Sequence, residues 1–262
     1  MRNVYLPFRL QIFLGSVILL TLGTGMAWSL ERSEKPLVQT LDIGSNSIHI
    51  VTQPQGYLMV DAGIEGQEEK IEKALAKIDI EPTQITHLLL THGHVDHAGT
   101  ATYFQQTYGI KVIAGRGDEQ LLKAGVADTL CPTNGMAKIL TGFFGDITFA
   151  PVVADIWIEE ETDLAKWGLN GRVVPYPGHT EGSIVFFLAD RAFVGDIIRG
   201  APLAAKKPRL HFYLCDLDKN RENIATILQD TSIHTWYPGH FGPLSVASVR
   251  MWWQKQYGKS DS

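Results

Sequence analysis

The sequence predicts an α+β fold in which β-sheets pack face to face with helices outside them. Two observations lead there. Strand-like segments lie in both halves of the chain, each half with helices of its own, and such elements bury their apolar faces in stacked layers. At 262 residues and 45% hydrophobic, the chain is also long enough for one large core, and it carries no internal repeat.

Taken in order, residues 37–42, 47–52 and 56–60 read as three short strands, with Asn46, Pro54, Gln55 and Gly56 supplying the turns. Residues 68–78 place Ile71, Ala74, Leu75 and Ile78 at helical spacing, with Glu and Lys on the other face, and Pro82 stops the run. A buried strand follows at 85–90, then a helix over 98–108, a short strand at Val112 and Ile113, and a helix over 119–123. Residues 131–145 mix Pro, Asn, Gly and aromatics and predict a long loop that rims a pocket. One or two strands fall within 147–158, one at 172–174, and two more at 183–188 and 192–194. A helix over 217–229 and a strand ending at Trp236 and Tyr237 complete the pattern.

The first thirty residues differ in kind. Arg2 and Arg9 precede an uncharged stretch at 10–30, and Glu31, Arg32, Glu34 and Lys35 follow it. Its most apolar part, 12–22, fits the ~7–15-residue core of a secretory signal, and the small residues Gly23, Gly25 and Ala27 would set cleavage after Ala27 or Ser29. The whole run also reaches the ~20 residues that cross a bilayer, which would make it a retained anchor with Arg2 and Arg9 inside. Both readings predict an exported domain at 36–262, periplasmic, secreted or held at the membrane only through that anchor. A formal charge of -5 argues against nucleic acid as partner, and the short basic patch of Lys206, Lys207 and Arg209 reads as a solvated loop face. Cys131 and Cys215 could pair in an oxidising compartment. They read equally well as two unpaired buried thiols, and neither has the spacing of a metal site.

Five of the nine histidines fall into three motifs, Thr91-His92-Gly93-His94-Val95-Asp96-His97, Pro177-Gly178-His179 and Pro238-Gly239-His240. The first leaves the strand at 85–90 and ends where a helix starts. His92 and His94, two apart, can point to one side of an extended turn. Asp96 and His97 can then face a second point nearby, where a helix N-terminus favours an ionised Asp and a neutral His, the states that bind metal. Three His and one Asp within six residues would crowd titratable groups for no structural gain. Of the other histidines, His49 and His234 read as surface residues and His87 as a hydrogen-bonded core residue on its buried strand.

The run THGHVDH resembles the His-x-His-x-Asp-His signature of the metallo-β-lactamase superfamily, and further segments are similar to that family's remaining parts, in order. Met59-Val60-Asp61-Ala62-Gly63 resembles its early strand-end Asp, Pro177 to Ser183 its third-histidine segment, Val194-Gly195-Asp196 its bridging-Asp segment, and Pro238-Gly239-His240 its last-histidine segment. The resemblance spans roughly residues 37–244 and implies a four-layer αββα sandwich with metals at one edge of the two sheets. It implies that His92, His94 and His179 hold a first zinc, that Asp96, His97 and His240 hold a second, and that Asp196 bridges them. Asp61 would accept a ligand histidine's N–H and fix its orientation. His and carboxylate without Cys suit two Zn(II) ions, with Fe or Mn also compatible. Two such ions ~3.5–4 Å apart lower the pKa of a shared water to about 7, and the resulting hydroxide would attack a carbonyl or phosphoryl centre, with Asp96 shuttling the proton. In this family the stretch between bridging Asp and last ligand borders the substrate, which makes His211 and Tyr213 candidate substrate contacts. Tyr176, beside the third-histidine segment, is another.

Departures from subfamily patterns narrow the activity. Position 94 is His, where the diiron flavoprotein branch has Glu, and position 196 is Asp, where β-lactamases of the superfamily use Cys, Ser or another residue. The motif set is similar to glyoxalase II and to the lactonases, although only 22 residues follow His240, too few for the helical domain with which glyoxalase II grips glutathione. The expectation is a dinuclear zinc hydrolase of a small ester, thioester, lactone or related bond. Its alternatives are a mononuclear iron enzyme similar to persulfide dioxygenases, a β-lactam hydrolase, or a non-catalytic metal-binding module.

Overall fold

Apolar runs such as residues 184–188 leave a strand no polar face to turn to solvent, so these strands must be covered on both sides. The computed structural model describes residues 38–126, 130–144, 147–202 and 204–258, and the expected leader at 1–30 lies outside them. The first sheet takes β1 (Val38–Ile43), β2 (Asn46–Gln53), β3 (Gly56–Val60), β4 (Ile85–Leu89), β5 (Lys111–Gly115) and β6 (Ile156–Ile158), hydrogen-bonded in that order. Its first three strands form an antiparallel meander, and the rest add in parallel. Between them run α1 (Glu68–Ala76), α2 (Val95–Ala98), α3 (Ala101–Tyr108), α4 (Glu119–Ala124) and α5 (Gly135–Phe144). The chain then enters the second sheet through β7 (Thr162–Asp163), β8 (Arg172–Pro175), β9 (Ile184–Leu188) and β10 (Arg191–Gly195). A two-stranded ribbon, β11 (Arg199–Ala201) with β12 (Ala204–Arg209), and α6 (Leu217–Gln229) intervene before β13 (Thr235–Pro238), β14 (Leu244–Ser245) and α7 (Val246–Tyr257). The order of the second sheet is β14-β13-β10-β9-β8-β7, with β13 parallel to β10.

The period of two along each strand sorts side chains into three apolar layers. Leu58, Val60, Leu89 and Ile113 of the first sheet meet Val173, Phe186, Leu188 and Phe193 of the second. Met59, Leu88 and Val112 turn the other way, onto Ile71 and Leu75 of α1 and Phe104 of α3. Val185, Phe187 and Val194 turn outward onto Ile224 and Ile227 of α6 and Val249 of α7. The result is the αββα sandwich the resemblance implied. Among the described residues, no helix is long and apolar enough to cross a membrane.

Several local expectations need correction. Residues 131–145 are not a long loop, because the Asn134 side chain accepts the Ala137 N–H at 3.0 Å and starts α5. Cys131 and Cys215 are not two unpaired thiols. They form a disulfide that closes an 84-residue separation. The helix expected over 98–108 is divided into α2 and α3, because Gly99 donates to the Gly63 carbonyl at 2.9 Å where its backbone presses on that loop. No expectation covered α7, which Ser245 caps by accepting the Ser248 N–H at 3.2 Å, with Val246 and Val249 buried beneath it. His87 is half-buried rather than core, its Nδ1 2.9 Å from the Thr86 hydroxyl. His234 is exposed as expected.

His49 is the clearest reversal. It is 1% exposed, not on the surface, because the sheet faces inward at β2 and its two ring nitrogens find the Pro238 carbonyl at 3.1 Å and the Thr40 hydroxyl at 3.0 Å. Burial pushes its pKa down to about 4. A depressed histidine pKa stabilises the fold above the unfolded value near 6.5 and loses that contribution as pH falls toward 4, a limb of up to about 3 kcal/mol. Urea unfolding of the wild type and of His49→Gln across pH 7 to 4 is expected to show this steeper acid loss only in the wild type.

Candidate metal centre

Five strands deliver the site from their C-terminal ends. Asp61 follows β3, His92 to His97 follow β4, His179 follows β8, Asp196 follows β10 and His240 follows β13. Apart from Asp96, which is about a third exposed on its side chain, all are buried. Two glycines let these ends meet. A Cβ on Gly239 would lie 2.3 Å from the His97 ring and 2.8 Å from Asp196 Oδ1, and one on Gly195, which has φ +51°, would meet Thr91 Oγ1 at 2.5 Å.

Four of the rings, His92, His97, His179 and His240, are held at the outer nitrogen so that the other faces the centre. His97 Nδ1 lies 2.9 Å from Asp61 Oδ2, His179 Nδ1 lies 2.8 Å from the Tyr213 carbonyl, and His240 Nδ1 lies 2.9 Å from the Ser45 carbonyl. The Thr91 hydroxyl gives its proton to Asp61 at 2.9 Å, so its oxygen accepts from His92 Nδ1 at 3.1 Å. Asp61 itself, at φ +62°, also accepts the Thr91 N–H at 2.8 Å. Asn46 Nδ2 donates to Asp96 twice, to its carbonyl at 2.8 Å and its carboxylate at 3.1 Å.

The inward atoms gather at two adjacent points. His179 Nε2 is 3.1 Å from His92 Nε2 and 3.0 Å from His94 Nδ1. Beside them, Asp196 Oδ2 lies 3.4 Å from His97 Nε2, 3.2 Å from His240 Nε2, 3.7 Å from His179 Nε2 and 3.1 Å from His211 Nε2, while Asp96 Oδ2 lies 3.4 Å from His240 Nε2. Donor atoms of His92, His94 and His179 lie within 4.8 Å of one another, as do those of Asp96, His97 and His240 and those of His179, Asp196 and His211. These residues fit metal ions. With their outer nitrogens donating, His92 and His179 turn bare lone pairs on one another inside the protein, an arrangement that a cation stabilises. His97 Nε2 and Asp196 Oδ1 are likewise buried without a hydrogen-bond partner.

The charges follow the same division. Burial and the neighbouring imidazoles push His92 well down, burial above all sends His94 to about 4, and burial with the nearby His94 sends His179 to about 3. His97 is raised well above its ordinary value and His240 to about 10, since the carboxylates around them, Asp196 foremost, overcome a burial that opposes protonation. Asp196 is held well below the carboxylate range by His211, His240 and His97 against the cost of burial. The carboxylate side of the site draws positive charge, and the three-histidine side offers neutral donors.

All seven residues implied as ligands therefore come together, and Asp61 sits where it can orient His97. His211 is closer to the chemistry than a substrate contact needed to be, and burial pushes its pKa down to about 3. Tyr213 lines the cavity over the site and donates its hydroxyl to the Ala137 carbonyl at 3.3 Å. Tyr176 does not reach the cavity. Strand alternation turns it outward with Val174 onto the α6 face, 6.3 Å from the Phe187 ring.

Sequence reasoning missed Asp118. This buried carboxylate accepts from the Gly93 N–H at 2.7 Å, the Gly182 N–H at 2.8 Å and the Thr180 hydroxyl at 2.8 Å, tying the first histidine motif to the third-histidine segment. Its only sequence signal is its place before α4, which reads as a helix cap. Asp118→Ala strands three buried donors and is expected to cost about 2–4 kcal/mol in urea unfolding, with metal affinity reduced about 10–100-fold.

Comparison with known proteins agrees with this geometry. The model of the metallo-beta-lactamase superfamily matches residues 41–240. The hydroxyacylglutathione hydrolase GloC of Haemophilus influenzae is 27% identical over 143 residues, 53% of this chain and 60% of that protein. The hydroxyacylglutathione hydrolase of Aeromonas hydrophila is 24% identical over 166 residues, 63% of this chain and 52% of its own. The chain thus spans just over half the length of these relatives. Among solved structures, a metallo-beta-lactamase of Cronobacter sakazakii superposes with a TM-score of 0.57 at 18% identity, covering 87% of this chain and 85% of that one. The subclass B3 enzyme of Bradyrhizobium japonicum gives 0.56 at 18% identity, with 87% and 84% covered. At such identities the likeness establishes the fold. With every converging His and Asp donor inside or at the edge of the matched span, the chain belongs to the metallo-beta-lactamase superfamily.

Proposed function

We propose that this metallo-hydrolase works with two divalent cations, zinc by the chemistry of its donors, and cleaves a small ester, thioester, lactone or related bond. The observation that carries this reading is the convergence of seven His and Asp donors on two adjacent points joined by one carboxylate, Asp196. His92, His94 and His179 would hold one ion, Asp96, His97 and His240 the other. When bound, such a pair supplies Lewis acidity toward the substrate oxygen and acidifies water near neutral pH. The chain's own residues supply the rest. Asp61, Ser45, Tyr213 and Thr91 fix the rings, and Asp96, oriented by Asn46 and open to the cavity, is placed to take the proton from an attacking water. A relative named for thioester hydrolysis supports that bond among the candidates. The Cys131–Cys215 disulfide supports the exported setting that the leader implies, since disulfides persist in oxidising compartments.

The test is a panel of thioesters, lactones, esters, β-lactams and phosphodiesters offered to the purified, zinc-loaded chain, alongside oxygen uptake on a persulfide. Turnover of an ester-type bond supports the reading. A fully metallated protein that hydrolyses none of them contradicts it, and one iron per chain with oxygen consumed on the persulfide would replace it.

A further inference from the structure

Four imidazoles surround Asp196 Oδ2, and one of them is wired in the opposite sense. His97, His179 and His240 turn Nε2 to that oxygen at 3.4, 3.7 and 3.2 Å. On their far sides Nδ1 meets an acceptor, the Asp61 carboxylate, the Tyr213 carbonyl and the Ser45 carbonyl. In the state that binds metal, each keeps its proton on Nδ1 and offers the Nε2 lone pair. His211 also turns Nε2 to the oxygen, at 3.1 Å. Its Nδ1, however, meets a donor, the Tyr213 N–H at 3.3 Å. A peptide N–H can only donate, so Nδ1 accepts and the ring's proton sits on Nε2. The Tyr213 carbonyl is also 3.3 Å from Nδ1, but it already accepts from His179 at 2.8 Å. The other tautomer would set a lone pair against the Asp196 carboxylate and one N–H against another.

A nitrogen that carries a proton has no lone pair for a metal. His211 is therefore not an eighth ligand, even though its donor atom lies within 4.8 Å of those of His179 and Asp196. The same proton makes a charge-assisted hydrogen bond to a carboxylate whose other oxygen, Oδ1, is buried without a partner. Once Nε2 of His97, His179 and His240 serve as ligands, none of the three can donate to Asp196, and His211 still can. Its backbone is fixed for the task, since the Thr133 N–H holds the Phe212 carbonyl at 2.8 Å, and its ring lies nearly parallel to His240 at 5.6 Å between centroids. We propose that His211 is the positioning residue of the bridging carboxylate, its Nε2–H holding Asp196 Oδ2 between the two groups of metal donors. This deepens the hydrolase reading and rests on its two cations for the effect on metal, whereas the tautomer belongs to the chain alone.

Nuclear magnetic resonance of the imidazole nitrogens tests it without catalysis. Long-range proton–nitrogen spectra are recorded on the zinc-loaded full chain, with the His211 signals assigned by their loss in His211→Gln. His211 is expected to show a proton on Nε2 and a free Nδ1, while His97, His179 and His240 show a proton on Nδ1 and zinc on Nε2. A proton on His211 Nδ1, or zinc on its Nε2, overturns the proposal. Chelator competition then compares zinc affinity in His211→Gln, which keeps a donating N–H, with His211→Leu, which has none. His211→Leu is expected to hold two ions still, with affinity reduced about 10–100-fold, and His211→Gln to stay within about fivefold of the wild type. Wild-type affinity in His211→Leu, an equal loss in both variants, or one ion per chain in His211→Leu each overturns it, the last by making His211 a ligand. Should His211→Leu fail to fold, the spectra of the wild type decide. Two zinc ions and the Nε2 proton without hydrolysis of any bond would count against the hydrolase reading alone. Two zinc ions and turnover with the proton on Nδ1 would count against His211 alone, and a wild type that holds no zinc overturns both.

Discussion

Asp196→Ala is expected to lower kcat/KM on the order of a thousandfold and to reduce bound metal from two ions per chain to one or fewer. The Asp196 carboxylate reaches ring nitrogens in both halves of the site. Its Oδ2 lies within 3.7 Å of ring nitrogens from His97, His179, His211 and His240. Removing it leaves His97 and His240 without their strongest source of negative charge, so the second group loses its pull on a cation, while the His92, His94 and His179 triad is untouched in its own contacts. Asp196→Asn keeps the shape and loses the charge, and should fall between the two. Elemental analysis beside steady-state kinetics checks this, with circular-dichroism melting to confirm the fold. A variant with two tightly held ions would contradict it.

The second large effect is expected at the disulfide. Replacing both Cys131 and Cys215 by serine is expected to cost about 3–4 kcal/mol of stability, because the cross-link closes 84 residues of chain. Function should suffer as well. Cys215 ends the 211–215 segment, which carries His211 and the Tyr213 carbonyl that orients His179. Cys131 begins the strip bonded to it, through Thr133 N–H to the Phe212 carbonyl at 2.8 Å and Leu214 N–H to the Cys131 carbonyl at 2.9 Å. Loosening that clasp is expected to lower activity about 10–100-fold, as loss of an orienting partner does. Urea unfolding and kinetics of the double variant check both, and wild-type values in each would contradict the role given to this cross-link.

The first histidine motif was legible because its signal is local, whereas His179, Asp196 and His240 were legible through the resemblance of their segments to the family's. His92, His94, Asp96 and His97 occupy one turn, and spacing alone brings them together. Asp61 was legible through the resemblance of residues 59–63. Asp118 and Asn46 were not, since their roles exist only after distant segments meet. Asp118 reaches Gly93 and Gly182 across 25 and 64 residues. In the fold, the paired sheets followed from strand-like segments in both halves of the chain, whereas α5 hid behind turn-forming residues because its cap, Asn134, looks the same in a loop. His49 shows the limit of single-residue reasoning. A histidine on a strand reads as surface until the second sheet brings the Pro238 carbonyl to it.

The proposed function requires two cations between the seven named His and Asp donors. Its most direct test is metal stoichiometry by elemental analysis on the purified chain after reconstitution with zinc and removal of excess, set beside the same measurement on His94→Ala and His97→Ala. Two zinc ions per wild-type chain and about one in each variant are expected, His94→Ala having lost the three-histidine ion and His97→Ala the other. One ion or none in the wild type, or two retained in both variants, would contradict it.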